Sequence, residues 1–416
     1  MNGARSSNAS SVASGRTRAV ALLCVTTALS LGNGCARKPA TASVTPAGVP
    51  AIRVAALRDS IRIVLDRAIA DSAFPGAYVV VGNRDGVLAE YGAGRLDVLD
   101  DTRPTASTVW DLASLTKVVG TTSAMLQLIG QGKVALDSPV VRYLPEWTAP
   151  GAARITVRML LTHSAGLPAW RPFYKEASTA DEAFAQLFAT APDTVPGTRF
   201  LYSDLGFMLL GKLVERVSGE RLDQYDVTHV FEPLGMRDTR YLPPTDWRAR
   251  IAPTEQDPWR QRKLRGEVHD ENASRVGGVS GHAGLFSSGR DLARFAQAYL
   301  RGGELGGTRV FDAATLAQFT TLQNVAISRR ALGWETPTGG NSAGRQLSPQ
   351  AFGHTGFTGT SLWMDPPQDL FVVLLTNRVN PTRTNLKIGR VRAAMADAVA
   401  GAMRTGGEGA SGGAAR

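Results

Sequence analysis

A chain of 416 residues with 43% hydrophobic and 20% charged side chains has the composition of a globular protein with a sizeable core, which excludes a disordered or fibrous polymer. The net charge of +10 does not signal nucleic acid, because Arg5, Arg16, Arg18, Arg37 and Lys38 supply five of those charges in a stretch free of acids. A second basic stretch, 248–265, is interleaved with Glu255 and Asp257 and accompanies no nucleic-acid motif.

Residues 1–34 read as a secretory signal. A basic start leads into an apolar run at 19–31 that is too short to span a bilayer. Export to the bacterial envelope, as a periplasmic protein, is the expectation. Cys35 follows Gly34 and precedes an Ala/Pro/Thr-rich linker (35–51), so a lipidated, membrane-attached form and a soluble periplasmic form both stay open. Cys24 and Cys35 are the only cysteines, which leaves the folded part without a disulfide or a thiol nucleophile. One domain is expected over 52–404, with a helical lobe at about 110–340, followed by a disordered tail at 405–416.

In chain order, apolar residues at helical spacing predict a helix over 52–70. Residues 77–82 and 86–92 read as strands joined by a tight turn at 83–85. Val118, Thr122, Met125, Leu126 and Ile129 define the buried stripe of a helix that starts near Ser114 and ends at Gly130 or Gly132. Ser203 or Asp204 caps a second helix with Leu205, Leu209, Leu213 and Val217 inside and Gly219 at its close; further helical patterns begin at Asp291. A second hairpin, 359–365 and 370–377, precedes a final helix over 385–403 with Leu386, Val391, Met395 and Val399 along one stripe. Hairpins at both ends around a helical middle predict an α+β fold: one antiparallel sheet built from distant segments, with the terminal helices on one face and a helical lobe beside it.

Three short stretches can carry chemistry. Ser114 stands one helical turn ahead of Lys117, within reach of its amine and beside the free N–H groups of a helix start. If burial among other donors neutralises Lys117, it becomes a base for an otherwise weak nucleophile. Tyr202 and Asp204 flank a helix mouth, where a phenol and a carboxylate can shuttle a proton. In "FGHTGFTGTSLW", the glycines let a ligand approach a strand edge, His354 can donate to substrate, and the Phe357 N–H can pair with that of Ser114 as an oxyanion hole.

The ordered set "SLTK", "YSD" and "HTG" resembles the three-motif signature of the serine β-lactamase and penicillin-binding-protein superfamily, and within it the hydrolases related to class C β-lactamases. "ITVRMLLTHSAGLP" and "GVSGHAGLFSSGRDLARFAQAYL" are similar to that family's wording too. The resemblance implies a β-lactamase/transpeptidase-like fold. It also implies Ser114 as acylated nucleophile, Lys117 as base or proton relay, and Tyr202 as the group that moves protons. Asp204 takes the place of the usual Asn. His354 takes that of the usual Lys, followed by Thr355, Gly356 and the Phe357 N–H. Both changes make the site less positive and disfavour substrates held by a carboxylate, unless Arg378 compensates. An exported serine hydrolase cutting amide or ester bonds follows, either D,D-peptidase-like on peptidoglycan peptides or esterase-like, with no cofactor and no metal. A non-catalytic binder of cell-wall peptides is the alternative.

"GNSAG" around Ser342 matches a nucleophile-elbow pattern but sits in a Gly/Pro-rich loop without the strand and helix that pattern needs. His269, Asp270 and Glu271 cluster on a predicted loop, where an active-site rim and plain surface polarity explain them equally well.

Overall fold

The computed structural model describes residues 49–404; the expected signal segment, Cys35 and the tail lie outside the described residues. Helix α1 (Ala51–Ala70) buries Leu57, Ile61 and Leu65 at four-residue spacing, and each such burial is worth about 1.5–3 kcal/mol. Strands β1 (Gly76–Asn83) and β2 (Gly86–Gly94) form the first hairpin. Asn83 Oδ1 accepts from the N–H groups of Asp85 and Gly86, which closes the turn.

Strand β3 (Val109–Asp111) leads through Ser114 into a helix that makes one π turn at Lys117–Thr121 and continues as α2 (Thr122–Gly130). Helix α3 (Asp204–Ser218) is capped by Ser203 and closed by Gly219 in the left-handed region. Strand β4 (Leu285–Ser288) pairs with β3 and with the short strand Arg240–Tyr241. It runs into α4 (Gly289–Leu300) through a Ser288 cap. The chain then adds β5 (Phe352–Thr355), β6 (Ser361–Asp365), β7 (Leu370–Thr376) and α5 (Ile388–Arg404).

The main sheet has the order β5-β6-β7-β1-β2, antiparallel throughout, and its ends are stitched where Ala77 lies opposite Thr376 and Gly82 opposite Phe371. Alternation along the strands divides the core. Val79, Val81, Val372 and Leu374 face α1 and α5, whereas Tyr78, Val80, Val373 and Leu375 join Leu292 and Phe295 of α4 and the helical region. A Cβ on Gly289 would lie 2.7 Å from Val80 Cγ2, so α4 starts hard against the sheet.

The architecture is the predicted α+β arrangement, with two local differences. The final helix begins at Ile388, and Leu386 is 77% exposed in the segment before it, off the predicted stripe. Residues 352–355, expected only to run into a strand, form the edge strand β5, because their N–H and C=O groups pair with β6.

Candidate active site

Ser114 is held by the turn in front of it. The buried Asp111 carboxylate accepts from the N–H of Ala113 at 2.8 Å and of His269 at 2.6 Å. It thereby fixes Ala113 at a φ of +46°, a left-handed value that a non-glycine residue keeps only when its surroundings enforce it. The π turn follows at once. Such a turn inserts an extra residue into the helix, and here it places Lys117.

Lys117 is fully buried. Its Nζ lies 2.9 Å from Ser114 Oγ, 3.1 Å from the His282 carbonyl, 2.7 Å from Asp204 Oδ1 and 5.1 Å from the centre of the Tyr202 ring. Burial pulls its pKa down, but the Asp204 carboxylate and then Tyr202 outweigh that pull and hold it above the ordinary lysine value. The condition for a neutral lysine is thus not met: Lys117 keeps its proton and donates to the serine oxygen.

Tyr202 is clamped from behind. His163, itself at a φ of +53°, stacks on the Tyr202 ring with centroids 4.4 Å apart, and its Nδ1 accepts from the Ser203 N–H at 3.0 Å. Ser203 Oγ donates to the Pro168 carbonyl at 2.6 Å. These bonds orient the first turn of α3, from which Asp204 reaches Lys117. His163 sits in "ITVRMLLTHSAGLP", where nothing local marks its role; only its partners, some 40 residues on, show what it does.

The loop between β5 and β6 is tied to the Ser114 turn by two hydroxyls: Thr358 Oγ1 donates to the Asp111 carbonyl at 2.7 Å and Thr360 Oγ1 to the Leu112 carbonyl at 2.9 Å. Gly356 is required there, for a Cβ would sit 2.3 Å from the Leu112 carbonyl oxygen. Among the described residues, neither the Ser114 N–H nor the Phe357 N–H donates to a protein acceptor. Both are free to receive an oxyanion.

Two expected contributors are placed differently. His354 is buried and donates from Nδ1 to the Thr355 carbonyl at 2.8 Å, leaving Nε2 without a partner. Burial, then the charges of Arg330 and Lys117, push its pKa well down, so it is a neutral ring behind Tyr202 and not a cation offered to substrate. Arg378, expected to compensate, is also buried. It donates to the carbonyls of Phe357, Arg383 and Asn385 and lies 4.3 Å from the Phe357 ring centre, fixing that loop.

Ser114, Tyr202, Asp204 and Phe357 open onto one cleft of about 330 Å³, shared with Trp170, Ala283, Arg383 and the trio His269, Asp270 and Glu271. That trio therefore belongs to the rim. The cleft guanidinium, Arg383, is bound by Glu255 at 2.6 Å and Glu271 at 2.7 Å. Burial opposes the ionised Glu255 carboxyl, but His269 and Arg383 hold it at a pKa of about 2. Thr355 ends β5 and Gly356 begins the loop after it, where its carbonyl accepts from Arg392 Nη2 at 2.6 Å.

Asp204, Asp270 and His282 bring ligand atoms within 4.8 Å of one another. Lys117 already occupies Asp204, and His282 Nε2 donates to Asp270 at 2.9 Å, so this donor set is engaged by a lysine ammonium and does not fit a metal ion. The rejected Ser342 lies in a loop, where its Oγ accepts from the Trp363 indole.

An antiparallel sheet with both terminal helices on one face and a helical region on the other, and with a Ser-x-x-Lys turn facing a Tyr-x-Asp helix start, defines an α+β serine hydrolase of the acyl-transfer class. Comparison with known proteins gives its family. The beta-lactamase family model matches residues 61–396, and the chain belongs to that family. A Salmonella schwarzengrund (strain CVM19633) protein, provisionally named a D-alanyl-D-alanine carboxypeptidase, is 34% identical over 321 residues, spanning 69% of this chain and 73% of the relative. In fold, the chain is similar to a penicillin-binding-protein homologue from Caulobacter crescentus, with a TM-score of 0.68 at 21% identity over 86% of this chain and all of that one. A family VIII carboxylesterase matches with a TM-score of 0.68 at 23% identity, over 83% of this chain and 97% of that one. The protein is a β-lactamase-related serine hydrolase.

Proposed function

We propose that Ser114 is the acylated nucleophile of this hydrolase and that its preferred substrates are esters or amides with an uncharged group beside the scissile bond. The Ser114 Oγ attacks the carbonyl carbon while the carbonyl oxygen, taking up the electron pair, is received by the Ser114 and Phe357 N–H groups. Tyr202, reacting as its phenolate, takes the serine proton and then, as the phenol, gives it to the leaving oxygen or nitrogen, which restores the phenolate. Water then repeats the sequence on the acyl-enzyme. Lys117, as an ammonium, stabilises the charge that passes between the serine and phenol oxygens.

One observation carries the choice of substrate: the guanidinium lining the cleft is neutralised by two carboxylates, Glu255 and Glu271, while Asp204 and Asp270 face the same space. A substrate carboxylate finds no free cation there. The carboxypeptidase-named relative favours a second reading, a peptide substrate ending in D-Ala. Parallel assays on short nitrophenyl esters, D-Ala-D-Ala peptides and a chromogenic cephalosporin separate the two. The proposal expects the esters to lead, and a clear lead for D-Ala-D-Ala peptides overturns the preference. A fluorophosphonate should label the protein, and Ser114→Ala should abolish both labelling and turnover; a labelled, active Ser114→Ala protein refutes the nucleophile.

Export fits cell-wall chemistry, and the signal-like N-terminus supports it. Fractionation of the native host, with Cys35→Ala to test lipid attachment, is the corresponding measurement.

A further inference from the structure

Arg330 lies in the loop between α4 and β5 and is buried, with 9% of its surface exposed. Among the described residues no carboxylate comes within ion-pair distance of it, and its Nη1 has no acceptor. Its Cζ is 5.3 Å from the centre of the Phe200 ring and 5.5 Å from that of Tyr202. A buried guanidinium whose acid, Glu335, acts on it from beyond ion-pair distance is costly, and a chain keeps one where its charge acts on something. Of the two rings it faces, that of Tyr202 lines the cleft with Ser114.

The other groups that face Tyr202 account for the need. Lys117 approaches from the π turn, 5.1 Å from the ring centre, but Asp204 on α3 pairs with it and offsets its charge. His163 and His354 flank the ring, with centroids at 4.4 and 6.0 Å, and both are held neutral, first by burial and next by Arg330 itself. Asp270, in the same cleft, adds a carboxylate. Glu335 is the acid that supports the charge on Arg330. Among the described residues, Lys117 and Arg330 are the cations that lie over the Tyr202 ring.

We propose that Arg330 is a positioning residue that supplies the second positive charge beside Tyr202, stabilising negative charge on the phenol oxygen as it exchanges the Ser114 proton. The assignment rests on the acyl-enzyme reading above. It places on an unrelated loop the charge that His354, buried and neutral, does not provide. The positive charge acts through the aromatic ring and the buried surroundings, where screening by solvent is weak.

The test is the pH dependence of kcat/KM on a nitrophenyl ester for Arg330→Gln, Arg330→Lys and the double variant Arg330→Gln/His354→Lys, with thermal unfolding followed in parallel. Arg330→Gln should lose about tenfold or more in kcat/KM at pH 7 and move the acid limb up by about one pH unit. Arg330→Lys should keep the limb near its wild-type position, and the added lysine at 354 should bring it back. If Arg330→Gln does not fold, Arg330→Met fills a similar volume and carries the same expectation. A limb unmoved by removing the charge, with Gln and Lys variants equally impaired, assigns Arg330 to packing and overturns the proposal. Failure of the wild-type protein to label at Ser114 instead overturns the hydrolase mechanism, so the two failures are distinguishable.

Discussion

Lys117 with Asp204, and Arg383 with Glu255 and Glu271, are two cation–carboxylate clusters on the walls of one cleft. The Lys117 side chain is fully buried, whereas that of Arg383 is 33% exposed. In the first cluster one carboxylate meets one ammonium, and the ammonium still has a donor to aim at Ser114. In the second, two carboxylates meet one guanidinium through its Nε and Nη2, and their two negative charges outweigh its one positive charge on that wall of the cleft. The same residue types thus serve proton chemistry in one place and substrate exclusion in the other. Burial and stoichiometry make the difference, because a charge pair is strong where water is absent and screened where it is not.

The largest effect should come from breaking the buried cluster. Lys117→Ala should lower kcat/KM by about 10³-fold, at the scale of losing a positioned proton-transfer group. The same change strands Asp204 in a largely buried site, so chemical unfolding at pH 7 should show a loss of about 3 kcal/mol. Adding Asp204→Asn should restore much of the stability and none of the activity. Recovery of activity in that double variant would mean that the pair only maintains structure.

A smaller change should separate the second cluster from the first. Glu271→Gln removes one of the two acids on Arg383 and should raise kcat/KM for carboxylate-bearing substrates relative to esters by about threefold to tenfold, the scale of one charge-assisted hydrogen bond in a partly wet site. Ester turnover itself should stay within about twofold, given that rim charges away from the reacting atoms contribute little. An unchanged ratio would show that Arg383 is not what excludes carboxylates.

The smallest effect concerns a carboxylate that has neither kind of partner. Asp226 is fully buried beside the π turn, and its Oδ2 accepts only a 3.4 Å contact from the Tyr241 hydroxyl. Burial pushes its pKa well up. A carboxyl with a raised folded pKa is tolerated when protonated and opposes folding when ionised, so its penalty is absent below about pH 4 and grows as pH rises through the folded value. Asp226→Asn should therefore stabilise the protein by on the order of 1 kcal/mol at pH 8 and by nothing at pH 4, read by urea unfolding. Glu255 behaves oppositely. Its depressed pKa of about 2 means that its contribution is present above about pH 4.5 and is lost as pH falls toward 2.

The local layer of this protein was legible in its sequence. The hairpin around Asn83, the Ser203 cap, the Gly219 stop and the apolar stripes of α1 and α2 all follow from short-range rules of spacing and turn chemistry, and each occurs where those rules place it. The three motifs were legible too; how each member of the site is placed and charged was not. His354 was expected as a weak cation on the cleft and is a buried neutral ring, and Arg378 was expected to face substrate and instead anchors the Phe357 loop.

Residue types, periodicity and motif order thus determined by themselves the elements, the α+β class and the candidate nucleophile, since these depend on neighbours within a few positions along the chain. Tertiary structure alone decided which groups are charged and what they face: the ammonium of Lys117, the clamp of His163 on Tyr202, the carboxylates around Arg383 and the unpaired Arg330. Protonation and orientation answer to burial and to partners brought in from distant segments, and no pattern along the chain records those distances.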